Sequence, residues 1–414
     1  MTDLSANQPT YEQRNVVTTL APTTPAPLAP ARSDVAPAAA KTIGVVERLA
    51  VAGGWLAGRL SGWGDRIQLK YRLFQAAAII VPRVPLWLAR PATVGGATAA
   101  WALAGGMRRR AEANLRHIPG LAADPQALRR ATRGVFITSA LNYLAFFRGR
   151  FLTAEQAVAP WTREGGRIAV EGLDVMAALL AQGRGLICFS AHLGDFEAAA
   201  SCLGTLGYRM ITPAEPLTPA PLRELVVRLR DHHGTRMIPG DSRETLREMI
   251  SALRRNEIVL FAVDRYVMGA SAQFSLFGAP ARLPTTPVSF ALRHRQAPVM
   301  LLTSWRAGPR QSAGVCVSIN LTSSALTAAT GPNGQPQVAS SVDQGDHAVR
   351  QAMTVVIAAI ERQIAAHPEQ WLSALTQVWD DDNTGASDGA SGDASGDAER
   401  SALTATNTPG DRHL

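Results

Sequence analysis

Hydrophobic and polar positions follow different rules in successive parts of the chain. Up to about residue 40 there is no period at all: "LAPTTPAPLAPARSDVAPAAA" mixes proline and alanine in a way that cannot bury a core, so residues 1–40 are predicted to be a disordered leader. No basic start followed by an apolar run is present there, so it does not read as a signal peptide. Residues 41–107 are rich in Trp, Leu, Ala and Gly, yet Arg59, Asp65, Arg66, Lys70, Arg72, Arg83 and Arg90 interrupt every long apolar stretch. A spanning helix needs about 20 mostly apolar residues, and the best windows, 73–82 and 91–107, fall short. Helices lying on or dipping into a membrane fit this pattern better than helices crossing it. The basic run Arg108-Arg109-Arg110 that follows suits lipid headgroups.

From about residue 165 the pattern becomes short β-rich runs alternating with helical segments. The strands are read at 185–190, 208–212, 257–263, 274–277 and 298–305, and the helices at 195–206, 221–233, 242–255 and 286–294. Pro284 and Pro287 suit the start of the last helix. Such alternation predicts an α/β fold with a mixed central sheet flanked by helices, in which function gathers at strand ends. From Asp380 the chain is an acidic Gly/Ser/Asp tail, predicted disordered. Its Gly385-Ala386-Ser387-Asp388-Gly389 matches G-x-S-x-G, but without a preceding strand or a following helix the match has no chemistry. The expected organisation is a leader (1–40), a helical membrane-associating region (41–150), an α/β domain (151–380) and an acidic tail (381–414).

Composition narrows the function. With 46% hydrophobic and 18% charged residues the chain can bury a sizeable core, and three cysteines without a C-x-x-C pair exclude a disulfide scaffold or a cysteine-rich zinc module. Sparse cysteine fits a reducing compartment. The net charge is +8, and Lys41 and Lys70 are the only lysines. Arginine forks suit phosphate and carboxylate, and the excess charge asks for an anionic membrane face or an acidic donor. No Lys/Arg-rich run with interleaved aromatics occurs, so nucleic acid is not an expected partner.

The candidate chemistry lies in Ser190-Ala191-His192-Leu193-Gly194-Asp195-Phe196-Glu197, at the end of the first central strand. A spacing of five, at roughly 100° per residue, separates two side chains on one continuous helix. A strand-to-helix junction resolves this. His192 takes the last exposed strand position, Gly194 allows the turn, and Glu197 points back from the first helical turn, where the helix dipole favours a carboxylate. A carboxylate on one imidazole nitrogen fixes the tautomer and raises the basicity of the other, which is the general-base half of acyl-transfer chemistry. Cys188 is separated from His192 by about 13 Å of strand, too far for activation. Ser190 is nearer but points in parallel. The remaining histidines, His117, His232, His233, His294, His347, His367 and His413, show no ligand spacing, so no metal site is expected.

"SAHLGDFE" resembles the H-x4-D/E motif of the lysophospholipid acyltransferase superfamily, and more narrowly the late acyltransferases of lipid A biosynthesis and the phosphatidylinositol mannoside acyltransferases. Further blocks resemble that family in the same order: "RRRAEANL" (108–115) with "YLAFFR" (143–148), "PAEPL" (213–217), "VVRLRDHHGTRMIP" (226–239), "EIVLFAVDRY" (257–266), "FGAPARLPTTPVSFALR" (277–293) and "HPEQWL" (367–372). Together they cover roughly residues 45–380.

The resemblance implies an enzyme that moves a fatty acyl chain from an acyl-CoA or acyl-carrier-protein thioester to a hydroxyl of a lipid or glycolipid, at the cytoplasmic face of the inner membrane. It implies His192 as general base, Glu197 as its partner, no acyl-enzyme, and no metal or other cofactor. Arg230 and Asp264 carry over as supporting residues, and Arg265 and Arg282 as weaker candidates for phosphate. Two departures stand out: Tyr266 replaces the second acid of the Asp-x-Asp block, and Asp195 stands where relatives often carry Asn. The rival readings are a Ser190-dependent lipid hydrolase and a catalytically silent lipid-binding scaffold.

Overall fold

The computed structural model describes residues 63–149, 151–162, 168–214, 220–230, 235–240, 242–308, 310–321 and 341–379. The predicted leader and acidic tail, with the G-x-S-x-G match, lie outside them, as do His232, His233 and His413.

Among the described residues the chain builds a seven-stranded sheet in the order β1-β9-β8-β2-β5-β3-β4. The strands are β1 (Val170–Glu171), β2 (Leu186–Ser190), β3 (Met210–Ala214), β4 (Thr235–Pro239), β5 (Ile258–Ala262), β8 (Val299–Arg306) and β9 (Ser312–Ser318). Every pairing is parallel except β8 with β9. A separate antiparallel hairpin joins β6 (Ser271–Leu276) to β7 (Ala279–Pro284). The mixed sheet expected from the alternating pattern is therefore present, and mostly parallel. The strands β1, β4, β7 and β9 carry no clear apolar run and were not expected.

The run of apolar residues in β2 has a direct cause. The strand lies between β5 and β8, covered on both faces, so its sequence cannot alternate with polar residues. Ile187 and Phe189 enter the larger core with Val259 and Phe261 of β5, while Leu186 and Cys188 enter the smaller one with Met210 and Ile258. The larger core also receives Met353, Val356, Ile360 and Ile364 from the helix Ser341–Ala366, and Trp371 and Trp379 beyond it. Helix Arg243–Arg254 starts where the Ser242 hydroxyl accepts the Thr245 N–H at 3.2 Å.

Among the described residues four long helices precede the sheet, Trp63–Ile80, Leu86–Leu103, Gly105–Arg116 and Pro125–Gly149, followed by the short helix Ala154–Val158. Among the described residues no helix is long and apolar enough to cross a membrane. The last of the four ties this region to the rest. Its Phe147 packs edge-on and its Phe146 tilted against Phe74, and its Arg148 guanidinium donates to the carbonyls of Val81 and Val84 at 3.1 and 2.6 Å.

Candidate active site

β2 and β5 run side by side and in parallel, with Ser190 opposite Ala262. Two residues beyond that register, His192 and Asp264 leave the same end of the sheet, where parallel α/β folds place their chemistry. Asp264 Oδ1 lies 2.8 Å from His192 Nδ1, and its Oδ2 accepts the His192 backbone N–H at 3.1 Å. Oδ2 also receives the Trp371 indole N–H at 2.9 Å and the Ser373 hydroxyl at 2.7 Å. The carboxylate is wholly buried, whereas the His192 side chain is 29% exposed, so only the imidazole of the pair reaches outward.

Burial works against the Asp264 charge and would raise its pKa. The charge of His192 and hydrogen bonds from His192, Ser373 and Trp371 outweigh that, and hold the carboxyl well below the ordinary carboxylate range. An ionised acceptor on Nδ1 requires that nitrogen to carry its proton. Nε2 is then the lone-pair nitrogen, free to take a proton from outside.

The loop carrying His192 is clamped from three sides. Gly194 adopts φ +58°, and a Cβ there would stand 2.3 Å from the Ser304 carbonyl oxygen and 2.4 Å from Trp305 Cα, so only glycine fits. Its N–H donates to the Gln370 carbonyl at 2.9 Å, and its carbonyl accepts the buried Asn142 side chain at 2.5 Å. Leu372 N–H donates to the His192 carbonyl at 2.8 Å. Gln370 in turn bonds both backbone groups of Arg306, at 2.8 and 3.1 Å. The segment 367–373 thus acts as a buckle over the His192 loop.

Glu197 is the expected partner of His192, and the structure brings a second acid to the imidazole. The carboxylate on Nδ1 is Asp264, while Glu197 lies half-buried in the first turn of the helix Phe196–Thr205. The reason is strand order: the register of β2 against β5 delivers an acid from 72 residues away. Asp195, which stands where relatives often carry Asn, is engaged elsewhere. Buried to 2% exposure, it forms an ion pair with Arg306 at 2.5 Å and accepts the Ser312 hydroxyl at 2.6 Å. Burial lowers the Arg306 pKa, opposed by the charge of Asp195 and reinforced by that of Arg90.

The other expected residues are placed as follows. Arg230 ends the helix Ala220–Arg230, and Arg265 follows Asp264 directly and is half-buried. Arg282, exposed on β7, holds its guanidinium 4.4 Å above the ring of Tyr266 and donates to Ser271 at 2.8 Å. The residue replacing the second acid therefore carries a stacked arginine two positions beyond Asp264. Neither Ser190 nor Cys188 is directed at His192. Ser190 Oγ donates to the Ala191 carbonyl at 3.2 Å, and Cys188 is wholly buried, with a thiol pushed well up by burial and then by Cys316. Among the described residues no group of three His, Cys, Asp or Glu side chains could hold a metal ion.

Trp371, Ser373, Gln370, Asn142 and Arg306 escaped the sequence reading as site residues. The "HPEQWL" block did signal the first and third, but nothing in the residue order tied it to His192.

This geometry defines a class of protein: an α/β fold that places a histidine, backed by a buried aspartate, at the ends of two neighbouring parallel strands. The bacterial lipid A biosynthesis acyltransferase model matches residues 67–379, so the chain belongs to that family. It is also similar to the phosphatidylinositol mannoside acyltransferases of two Mycobacterium tuberculosis strains, CDC 1551/Oshkosh and ATCC 25618/H37Rv. Each is 28% identical over 125 residues, which is 30% of this chain and 40% of the relative.

Proposed function

We propose that this protein is an acyltransferase that moves a fatty acyl chain from a thioester of coenzyme A or an acyl carrier protein to a hydroxyl of a membrane lipid or glycolipid. The observation carrying the reading is the 2.8 Å contact between His192 Nδ1 and the buried, ionised Asp264. Nε2 removes the acceptor's proton as its oxygen attacks the thioester carbonyl. The tetrahedral adduct collapses with cleavage of the C–S bond, and the proton on Nε2 passes to the departing thiolate, giving an ester and a free thiol. Asp264 holds the tautomer and stabilises the imidazolium. Arg282, fixed on Tyr266, and Arg265 are suited to an anionic group of a substrate. Arg230 and Glu197 remain candidates for organising the site.

Membrane association is part of this proposal. The corner between the helices Trp63–Ile80 and Leu86–Leu103 exposes Ile79, Ile80, Leu86, Trp87 and Leu88, with Trp87 at 76%. Apolar side chains with an interfacial tryptophan, next to Arg83 and Arg90, suit a helix corner resting in the headgroup layer. We place the enzyme at the cytoplasmic face of the inner membrane.

The test is acyl transfer in membranes containing the protein, with labelled acyl-CoA and acyl carrier protein in parallel and mass spectrometry naming the product. The expected result is an acylated lipid formed by wild type and absent with His192→Ala. Free fatty acid as the product, dependent on Ser190, would replace this reading by the hydrolase. Lipid binding without turnover of either donor would replace it by the scaffold.

A further inference from the structure

Beside the exposed corner lies a groove of about 560 Å³ on the seam between the helices Leu86–Leu103 and Pro125–Gly149. Its lining is Arg90, Pro91, Val94, Gly95 and Thr98 from the first helix and Arg133 from the second. The first five recur at the three-to-four-residue spacing of one helix face. That face begins one turn beyond Trp87, at a rise of about 1.5 Å per residue.

The groove's charge is one-sided. Its lining holds two guanidinium groups and no carboxylate. Arg133 reaches across to the Thr98 hydroxyl at 3.4 Å, and neither Arg90 nor Arg133 forms an ion pair with a described carboxylate. The nearby acid Glu369 packs against Gly134 and accepts from Gln370 instead. Arg90 also presses its charge on the buried Arg306, whose ion-pair partner is Asp195. Arg90 and Arg133 thus face the groove without a carboxylate among the described residues. A bare cluster of this kind is completed by a phosphate, which two arginine forks can grip.

We propose that this groove is a binding site for the phosphodiester headgroup of an anionic bilayer lipid, whose acyl chains lie along the Leu86-Trp87-Leu88 corner. It rests on the membrane-surface reading above and adds a discrete headgroup site to it. The occupant follows from continuity: polar anion-binding atoms on one side, and exposed apolar side chains one helical turn away on the other. The apolar wall of Pro91 and Val94 suits the glycerol end of such a lipid.

The test is sedimentation of the full chain with vesicles of phosphatidylcholine alone and of phosphatidylcholine with phosphatidylglycerol. Arg90→Ala/Arg133→Ala empties the groove of charge. Arg109→Ala/Arg110→Ala removes the same charge from exposed positions outside it. Gly95→Leu fills the groove without changing charge, and a Cβ at Gly95 meets nothing within 4 Å, so the helix accepts it.

The preference for phosphatidylglycerol is expected to fall about 25-fold in the groove double variant, the product of roughly fivefold per arginine near the surface. It is expected to fall at least fivefold with Gly95→Leu, and by less than the groove variant in the Arg109/Arg110 control. Equal losses in both double variants, with Gly95→Leu unchanged, would mean a diffuse field and overturn the site. Full competition by millimolar inorganic phosphate would assign the groove to a free anion instead of a lipid. Trp87→Asp separates the two levels: loss of binding to both vesicle types is expected, and unchanged binding would sink the corner while leaving the groove to be judged by the lipid preference.

Discussion

Replacing Asp195 by alanine strips a buried charge of its partner, and the structure allows the cost to be worked out. Arg306 is left with a side chain only 19% exposed and no other ion pair among the described residues. Removing one member of a buried pair costs about 3–5 kcal/mol, and partial exposure of Arg306 favours the lower end. The Ser312 hydroxyl loses its acceptor as well, adding roughly 1 kcal/mol. The sum is a loss of about 4 kcal/mol.

Arg306 Nε and Nη2 have no aligned hydrogen-bond partner, although Nη2 sits 2.5 Å from Asp195 Oδ1. The pair is therefore held by charge more than by well-directed bonds, and removing both charges should cost little. Asp195→Ala/Arg306→Met is expected within about 1 kcal/mol of wild type. Asp195→Asn keeps an acceptor for Ser312 and falls between the two. Urea unfolding of wild type, Asp195→Ala, Arg306→Met, the double variant and Asp195→Asn, the first four read as a double-mutant cycle, measures this. A loss below about 1 kcal/mol for Asp195→Ala, or a double variant as unstable as the sum of its singles, would refute the reasoning.

Three further outcomes follow from the same geometry. Gly194→Ala forces a Cβ into the backbone of Ser304 and Trp305, and the displaced His192 loop should lower kcat by about 10²-fold. Gly240→Ala shares a positive φ but meets nothing within 4 Å, so it should cost only about 1 kcal/mol of stability in unfolding experiments and leave kcat alone. Ser373→Ala takes one donor from Asp264, raising its folded pKa toward the ordinary 3.8. A carboxyl depressed in the folded state gives stability above its unfolded pKa and loses it as pH falls through the folded value. Acid unfolding of Ser373→Ala, followed by circular dichroism, should therefore begin at a higher pH than that of wild type.

The central strands were legible because β2, β5 and β8 are apolar runs bounded by turn residues, buried on both faces. β4, "TRMIP", and β9, "SAGVCVS", were not, since edge or near-edge positions leave part of their surface polar. His192 was legible from its motif. Its partner was not, because the acid comes from a neighbouring strand and adjacency in the sheet is not encoded in residue spacing. Asp264 was visible only as a supporting residue, and Asp195, a turn acid by sequence, proved to be the anchor of Arg306. The Trp371–Ser373 donors show the same limit, since contacts across more than a hundred residues leave no local trace.

The most direct test of the central claim is to compare Asp264→Asn with Glu197→Gln in the acyl-transfer assay. If Asp264 fixes the base, Asp264→Asn lowers kcat by about 10³–10⁴-fold with KM little changed, because an amide cannot hold the Nδ1–H tautomer. Glu197→Gln should then keep kcat within about tenfold of wild type. A collapse of kcat in Glu197→Gln, with Asp264→Asn nearly as active as wild type, would contradict the account.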